Sequence, residues 1–187
     1  MTTDTNSNWE ALKERVAVCR ACPLCKTRNN IVFGRGCETA PLLFVGEAPG
    51  EQEDLAGMPF VGPAGKLLDD YIAFLGLEDQ DYYIANILKC RPPRNRDPLP
   101  EEENACMPYL REQVRLISPK VIVCLGRIAA QRILSPDFRI TRDHGKWFEA
   151  GGIKIMATFH PSALLRDPGK KLAALDDFKS ILEQISI

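Results

Sequence analysis

The sequence has little of several features that would assign it to a protein class at once. No apolar run approaches the roughly 18 residues that a membrane span needs, and the first residues, MTTDTNSNWE, lack the basic and apolar regions of a signal peptide. The formal net charge is only −1, which excludes a uniformly basic nucleic-acid binder but not a local basic patch. We expect a cytoplasmic monomer with one domain over residues 1–187 and no membrane partner.

Cysteine, in contrast, is abundant, and its odd number of seven disfavours a fully paired disulfide framework. Cys19, Cys22 and Cys25 follow one another at intervals of three, which lets thiolates turn onto one metal ion or cluster. A ferredoxin-type run would continue with a fourth cysteine, which is absent, so distant ligands are needed and Cys90 and Cys106 are candidates. Four sulfur ligands suit either an iron–sulfur cluster or structural zinc, and spacing does not decide between them. The other three cysteines are not assigned to the metal site. No further feature of the sequence supports Cys25 or Cys37 as a ligand, and Cys124 is predicted to be a core residue.

Strand-like and helix-like patterns alternate along the chain, which is typical of an α/β fold with a mainly parallel central sheet. Buried strands are predicted at 41–46, 82–88 and 120–126, with a further pair around Gly151-Gly152. The proline-rich stretch 89–100 is predicted to be irregular. Helices are predicted from a cap at Asn6-Ser7-Asn8 to about Cys19, from Pro63 to Leu75, and over 101–117, 126–134, 160–166 and 170–185.

Several polar residues are predicted to share one edge of the sheet. In parallel sheets the ligand binds beyond the carboxyl ends of the strands, and this rule selects Glu47, Asn86 with its downstream loop, Gly126 and His160. An amide such as Asn86 either caps local backbone or reads a donor–acceptor edge, and a histidine there is either structural or catalytic. His144 has no comparable position and is interpreted as a loop residue.

The loop after the first buried strand, GEAPGEQEDLAGMPFVGPAG (46–65), is rich in glycine, proline and acid. Its backbone N–H groups suggest phosphate binding, but its acids would repel a polyphosphate and its spacing matches no phosphate-binding motif. Glu51 and Asp54 fit the ordinary role of acids in the first turn of a helix, whereas Glu47 stands at the strand end itself. Phe60 is predicted to be a core residue unless a base has to be held.

A short loop concentrates positive charge. Lys89, Arg91, Arg94 and Arg96 lie within nine residues of one another, and two prolines stiffen the segment. A solvated basic loop is the usual interpretation of such a run. The two flanking cysteines, Cys90 and Cys106, favour a second interpretation, in which the loop is held rigid and anchors a phosphate backbone.

Five motifs together resemble a known family. GEAPGEQED, GMPFVGPAG, NILKCRPPRNRDPLP, CLG and HPSALLR resemble, in order and spacing, the family 4 uracil-DNA glycosylases, the iron–sulfur branch of the uracil-DNA glycosylase superfamily. The resemblance implies a three-layer αβα sandwich and hydrolysis of the N-glycosidic bond of uracil in single- or double-stranded DNA. It also implies a [4Fe-4S] cluster held by Cys19, Cys22, Cys90 and Cys106, so that Cys25 is not a ligand.

The resemblance also implies roles for individual residues. Phe60 resembles the ring that stacks on the flipped uracil, and Asn86 the amide that reads its Watson–Crick edge, with Gly46 and Ala48 in the same uracil-binding region. The implied active-site residues are Glu47, Glu53, Asn95 and His160. The last motif resembles the loop that enters the DNA minor groove, which implies DNA contacts at Ser162, Leu164, Leu165 and Arg166, with one of the two leucines as the apolar wedge.

These residues suggest a mechanism in which the base leaves the stack before the bond breaks. We expect His160 to stabilise negative charge on the departing uracil, and Glu47 or Glu53 to orient water or offset positive charge on the sugar. The best-known branch of the superfamily has a water-positioning aspartate where this chain has Ala48, so the group that guides the water stays open. Two alternatives are kept: a superfamily glycosylase with another base preference, and a non-catalytic iron–sulfur protein that binds DNA or transfers electrons.

Overall fold

The computed structural model describes residues 2–185, and its centre is one six-stranded sheet in the order β1-β3-β2-β4-β6-β5. The inner strands β2, β3, β4 and β6 are parallel, and the outer strands β1 and β5 are antiparallel to their neighbours. The sheet is therefore mainly parallel, which confirms the predicted fold class. The strands are β1 (Arg35–Gly36), β2 (Leu42–Gly46), β3 (Tyr82–Asn86), β4 (Val121–Leu125), β5 (Trp147–Ala150) and β6 (Ile153–Thr158).

Helices cover both faces of the sheet and make the outer two layers of the sandwich. Three short 3₁₀ turns, Pro23–Lys26, Pro93–Asn95 and Pro168–Lys170, occur in the connections. The helices are α1 (Thr2–Ala17), α2 (Glu51–Ala56), α3 (Pro63–Phe74), α4 (Pro100–Ile117), α5 (Arg127–Ile133), α6 (Ile140–Asp143), α7 (Pro161–Arg166) and α8 (Lys171–Ile185).

Two apolar clusters, one on each face of the sheet, form the core. Every residue of β2, β3 and β4 is buried, as expected for parallel strands covered on both sides. Alternate residues of β2 point to opposite faces: Leu43 belongs to the cluster that contains Trp9 of α1, and Phe44 to the cluster that contains Phe178 of α8. Cys124 of β4 is fully buried in the first cluster, which confirms its assignment to the core.

The structure corrects several predicted boundaries. Helix α1 begins at Thr2, ahead of the predicted cap at Asn6-Ser7-Asn8, because short polar residues disfavour helix only mildly. Strand β3 ends at Asn86 rather than Leu88. The two-residue strand β1 was not predicted. No helix range was predicted within residues 46–62, although Glu51 and Asp54 were interpreted as first-turn acids, and both lie in helix α2. Among the described residues, no helix has the length and apolar character to cross a membrane.

Candidate functional site

A cavity of about 520 Å³ opens at the carboxyl ends of the parallel strands. The ends of β2, β3, β4 and β6 meet there because the strands are parallel and in register. The cavity therefore collects side chains that are far apart in sequence. Its lining includes Glu47, Ala48, Glu53, Phe60, Asn86, Asn95, Arg96, His160, Ser162 and Arg166.

Asn86, the last residue of β3, carries the most unusual polar group of this cavity. Its side chain is 2% exposed, and its Oδ1 atom has no hydrogen-bond partner among the described residues. A buried amide oxygen without a partner is costly, so the cavity is suited to a ligand that donates a hydrogen bond. Gly46 faces it across the strand pair: a Cβ at Gly46 would collide with Asn86 Oδ1 and lie 2.8 Å from the ring of Phe60.

Phe60 forms a wall of the same cavity and is held in an unusual conformation. Its φ angle is +54°, in the left-handed region that bulky residues rarely adopt. The backbone of Phe60 packs against Gly65, where any Cβ would collide with it. Glu53 fixes the residues that follow, because its Oε1 accepts the backbone N–H groups of Val61 at 3.0 Å and Gly62 at 2.9 Å.

His160 follows the end of β6 after one residue, Phe159, and lies half-buried at the cavity edge. Its ring is stacked on Phe60 at a centroid distance of 5.7 Å. Its Nδ1 accepts the backbone N–H of Ser162 at 3.1 Å, so the proton of the neutral ring lies on Nε2. Burial, helped by Arg166 and opposed by Glu53, lowers the pKa of His160 from 6.5 to about 4. The imidazole is therefore neutral at physiological pH and can still donate one hydrogen bond.

Glu47, at the end of β2, differs from Glu53 in having no hydrogen bond to its carboxylate among the described residues. Burial, with a smaller contribution from Asp97, raises the pKa of Glu47 from 4.5 to about 7, and Arg127 opposes this rise. Near neutral pH the carboxyl group therefore exchanges its proton readily. A group with such a pKa is suited to proton transfer.

The basic loop divides into exposed and buried charges. Lys89 is 1% exposed, and its ammonium donates to the Asn86 carbonyl at 2.9 Å and to Gln113 Oε1 at 2.5 Å. The prediction that Lys89 contacts DNA is therefore wrong, because a charge enclosed this way cannot reach a phosphate. Arg94 is exposed, with a φ angle of +57°.

The other two arginines of the loop have protein partners. Arg91 Nε donates to Asn95 Oδ1 at 2.7 Å, and its guanidinium lies 3.5 Å from Glu51. Arg96 makes a two-pronged contact with Glu102, at 2.9 and 2.6 Å. The Arg96–Glu102 pair orders the turn that enters α4, where Glu102 also accepts the Leu99 N–H.

The last motif forms helix α7, whose two leucines have opposite environments. Leu164 is fully buried in the core, whereas Leu165 is 43% exposed. Leu164 is therefore wrong as a candidate apolar wedge, because it belongs to the core cluster that also contains Leu68 and Ile72 of α3. Ser162 lines the cavity, and the exposed Arg166 lies at its rim.

The four cysteines of the predicted metal site converge on a second, small cavity, which they line together with Cys25. Within residues 2–185, no three Cys, His, Asp or Glu side chains are already close enough to hold a single metal ion. Burial raises the pKa of the Cys106 thiol to about 11 and also raises the pKa of Cys90. A metal that binds there must therefore displace thiol protons.

Other residues differ from their sequence interpretation. Asp54 is more than a helix-dipole partner: it is 1% exposed and accepts the backbone N–H groups of Asn29 and Asn30, which ties α2 to the loop after the cysteines. His144 is more than a loop residue, because its Nδ1 lies 2.9 Å from Asp177 Oδ2. Sequence reasoning also missed several cavity residues: Asp97, Arg127, Ile128, Ile140 and Phe159. Of these, Arg127 and Ile128 follow the end of β4, and Phe159 precedes His160.

Comparison with known proteins gives a consistent family. The family model described as the uracil DNA glycosylase superfamily matches residues 33–185. The type-4 uracil-DNA glycosylase of Archaeoglobus fulgidus is 50% identical over 173 residues, which cover 88% of this chain and 87% of that protein. The type-4 enzymes of Sulfurisphaera tokodaii and Thermotoga maritima are each 46% identical, covering 93% and 87% of this chain and 83% and 86% of those proteins.

Proposed function

The chain belongs to the uracil DNA glycosylase superfamily, and we propose that it excises uracil from DNA by hydrolysing the N-glycosidic bond, as its type-4 relatives are named for doing. The observation that carries the proposal is the buried, unpartnered Oδ1 of Asn86 in a cavity at the strand ends. Such an acceptor fits the N3–H group of uracil. The enzyme leaves an abasic site and serves DNA repair.

Base recognition rests on one amide and one ring. Asn86 Oδ1 accepts from uracil N3–H while its Nδ2 donates to the oxygen at position 4, and cytosine presents the opposite pattern at both atoms. Phe60 stacks on the flipped base, and Glu53 keeps the ring in place by binding the backbone just after it. Thymine differs from uracil only by a methyl group, so it is excluded by steric fit against the 46–53 loop.

His160 stabilises the leaving group. Cleavage moves negative charge onto uracil, and the neutral imidazole donates its Nε2 proton in a hydrogen bond to a uracil oxygen. The backbone N–H of Ser162 fixes the tautomer by occupying Nδ1. Because the pKa of His160 is held near 4, the ring carries no positive charge that would be lost on titration near neutral pH.

We assign to Glu47 the stabilisation of positive charge on the sugar and the activation of the attacking water. Cleavage leaves positive charge on the deoxyribose, and an ionised Glu47 offsets this charge and accepts a proton from the attacking water. Ala48 has no polar group for this task. Glu53 is less suited, since its Oε1 already holds two backbone N–H groups. Asn95 lines the cavity beside Arg91 and contributes to positioning the nucleotide.

The DNA backbone is contacted by arginine and serine side chains around the cavity mouth. Arg91, Arg94 and Arg96 extend from the loop before α4, and Ser162 and Arg166 from α7. Arg94 and Arg166 are exposed, and the other three are half-buried. Leu165 is the apolar side chain that fills the space left by the flipped base. We also propose that the chain acts as a monomer.

The cofactor that we propose is a [4Fe-4S] cluster, with structural zinc as the alternative. The donor set fits: Cys19, Cys22, Cys90 and Cys106 line one cavity, and soft sulfur ligands suit iron–sulfur clusters. The cluster supplies a structural clamp and no step of the hydrolysis. Cys90 precedes the basic loop and Cys106 lies inside α4, so the clamp fixes both ends of that loop.

The proposal is tested with oligonucleotides that contain uracil, thymine, hypoxanthine or 5-hydroxymethyluracil, single- and double-stranded, followed by alkaline cleavage of abasic sites. We expect strand breaks at uracil. Breaks at another base but not at uracil would favour a superfamily glycosylase of different preference. No breaks at any base would overturn the enzymatic proposal in favour of a DNA-binding module. Iron, sulfide and zinc analysis of the same protein decides the cofactor.

A further inference from the structure

Five cysteines line the small cavity, although a four-iron cluster takes four thiolate ligands. Cys25 lies on the cavity wall together with Cys19, Cys22, Cys90 and Cys106. One thiol is therefore in excess of what the proposed cofactor needs. The question is which of the five positions are fixed by the protein and which can exchange.

Three of the five sulfur atoms are fixed by hydrogen bonds. N–H donors to sulfur stabilise thiolate ligands and orient them, so such contacts mark preorganised positions. Cys90 and Cys106 are in addition buried. The contacts are Ala21 N–H to Cys19 Sγ at 3.5 Å, Arg28 Nη1 to Cys90 Sγ at 3.3 Å, and Lys89 N–H to Cys106 Sγ at 3.3 Å.

The remaining two, Cys22 and Cys25, are held less firmly than these three. Cys22 Sγ has only the backbone N–H of Leu24, from the same turn, beside it. Cys25 Sγ accepts no hydrogen bond among the described residues, and both side chains are half-buried. They share the 3₁₀ turn Pro23–Lys26, which Cys22 begins, and the Cys25 N–H donates to the Cys22 carbonyl at 3.3 Å. Both thiols reach the cavity from the same short turn.

We propose that Cys25 is an alternative fourth ligand of the cluster and takes the place of Cys22 when that thiol is lost or modified. The proposal rests on the cluster assigned under the proposed function. Where Cys22 is replaced or already modified, it makes no Fe–S bond that would have to break. The Cys25 thiol then releases its proton to solvent and its thiolate forms the fourth Fe–S bond, so no electron is transferred.

The test is reconstitution of the full chain with ferrous iron and sulfide under anaerobic conditions, for the wild type and for Cys22→Ser, Cys25→Ser and the double variant. Iron and sulfide content and visible absorption are measured, with circular dichroism as a check of folding. Both single variants should retain wild-type iron, and the double variant should lose most of it. Cys37→Ser is the matched control, because Cys37 lies outside the cavity and contacts Thr39.

Alkylation followed by mass spectrometry gives a second readout that does not depend on activity. In the reconstituted Cys22→Ser protein, Cys25 should be protected from iodoacetamide, and removal of iron by a chelator should expose it. Loss of the cluster in Cys22→Ser or in Cys25→Ser, or an alkylated Cys25 in a Cys22→Ser protein that keeps its iron, would overturn the proposal. A wild type that takes up no iron would instead overturn the cluster assignment itself.

Discussion

Two cavities lie at the two ends of one short segment, residues 86–90: the base cavity, which Asn86 lines, and the cysteine cavity, which Cys90 lines. They differ in whether their polar groups already have hydrogen-bond partners in the protein. In the cysteine cavity, three sulfur atoms already accept N–H donors from the protein. In the base cavity, Asn86 Oδ1 has no partner and Glu47 carries a carboxyl group with a pKa raised to about 7. The first cavity is arranged to hold its surroundings together, and the second leaves polar groups available to a ligand.

Lys89 connects the two cavities. Its backbone N–H donates to Cys106 Sγ, while its ammonium supports the carbonyl of Asn86. Gln113 of α4 accepts the other hydrogen bond of the ammonium. The loop that carries Cys90 is thereby coupled to Asn86, the residue that we propose reads the base. The link is made through the main-chain carbonyl of Asn86, so a change of the Asn86 side chain should slow excision without loss of the proposed cluster.

The largest effect is expected from Asn86→Leu. The substitution keeps the approximate volume but leaves uracil N3–H and its position-4 oxygen without partners, which should slow single-turnover excision by about 10⁴-fold. Iron content should stay at the wild-type level. A variant that excises uracil at near wild-type rate would show that the unpartnered amide does not read the base.

His160→Ala is expected to have the next largest effect. Loss of a preorganised donor to the leaving group costs roughly 100- to 1000-fold in rate, while affinity for uracil-containing DNA should persist. Because the His160 pKa is lowered to about 4, wild-type excision should show no titration of His160 between pH 5 and 8. His144→Asn is the control, since His144 pairs with Asp177 and does not itself line the cavity. Near wild-type excision by His160→Ala would remove this residue from the mechanism.

Glu47→Gln is expected to change the pH profile as well as the rate. The raised pKa means that the ionised form accumulates only as the pH passes about 7, so wild-type excision should rise between pH 6 and 8. The variant should be slower by about 100-fold at pH 8 and its profile should be flat.

Stability gives an independent check of Glu47. Its folded pKa lies above the unfolded value of 4.5, so ionisation destabilises the fold as the pH rises through this interval. Glu47→Gln should therefore melt at a higher temperature than the wild type at pH 8, with a smaller difference at pH 5. An unchanged pH profile of excision would contradict the assignment of Glu47.

The smallest effect is expected from Arg94→Ala. Loss of one phosphate contact should weaken DNA binding a few-fold. It should also reduce the slope of the logarithm of the DNA-binding constant against the logarithm of the salt concentration by about 0.9 on duplex DNA. Lys89→Met should leave this slope unchanged, because its ammonium is buried, and should instead slow excision by loosening Asn86. Equal changes of slope in the two variants would contradict the division of the loop into buried and exposed charges.

The alternation of strand-like and helix-like segments along the chain predicted the α/β architecture well. The apolar runs at β2, β3 and β4 could be identified as strands from their length and from their alternation with helices. This suffices because parallel strands are buried on both faces and therefore read as continuous apolar runs. The rule for strand ends then brought Glu47, Asn86 and His160 to one cavity. Helix α2 was missed because its six residues, between two glycines, carry no apolar periodicity.

Burial of individual charged and apolar side chains could not be predicted in the same way. Lys89 and Arg94 look alike in a basic, proline-rich run, and only the fold places Gln113 and the Asn86 carbonyl beside the first. Leu164 and Leu165 are adjacent identical residues, and which of them faces the core depends on how α7 docks. Glu53 accepts the backbone N–H groups that follow Phe60, and this contact depends on the left-handed conformation of Phe60. No local sequence pattern predicts that conformation.

We propose that Asn86 reads uracil through N3–H, and a base analogue without this group provides the test. The same oligonucleotide is prepared with uracil or with 3-methyluracil, which has no N3–H, and single-turnover excision is measured for the wild type and for Asn86→Ala. The account predicts that the wild type excises uracil about 10⁴-fold faster than 3-methyluracil, and that Asn86→Ala narrows this ratio. Similar rates for the two bases with the wild type, or the same ratio in the variant, would contradict it.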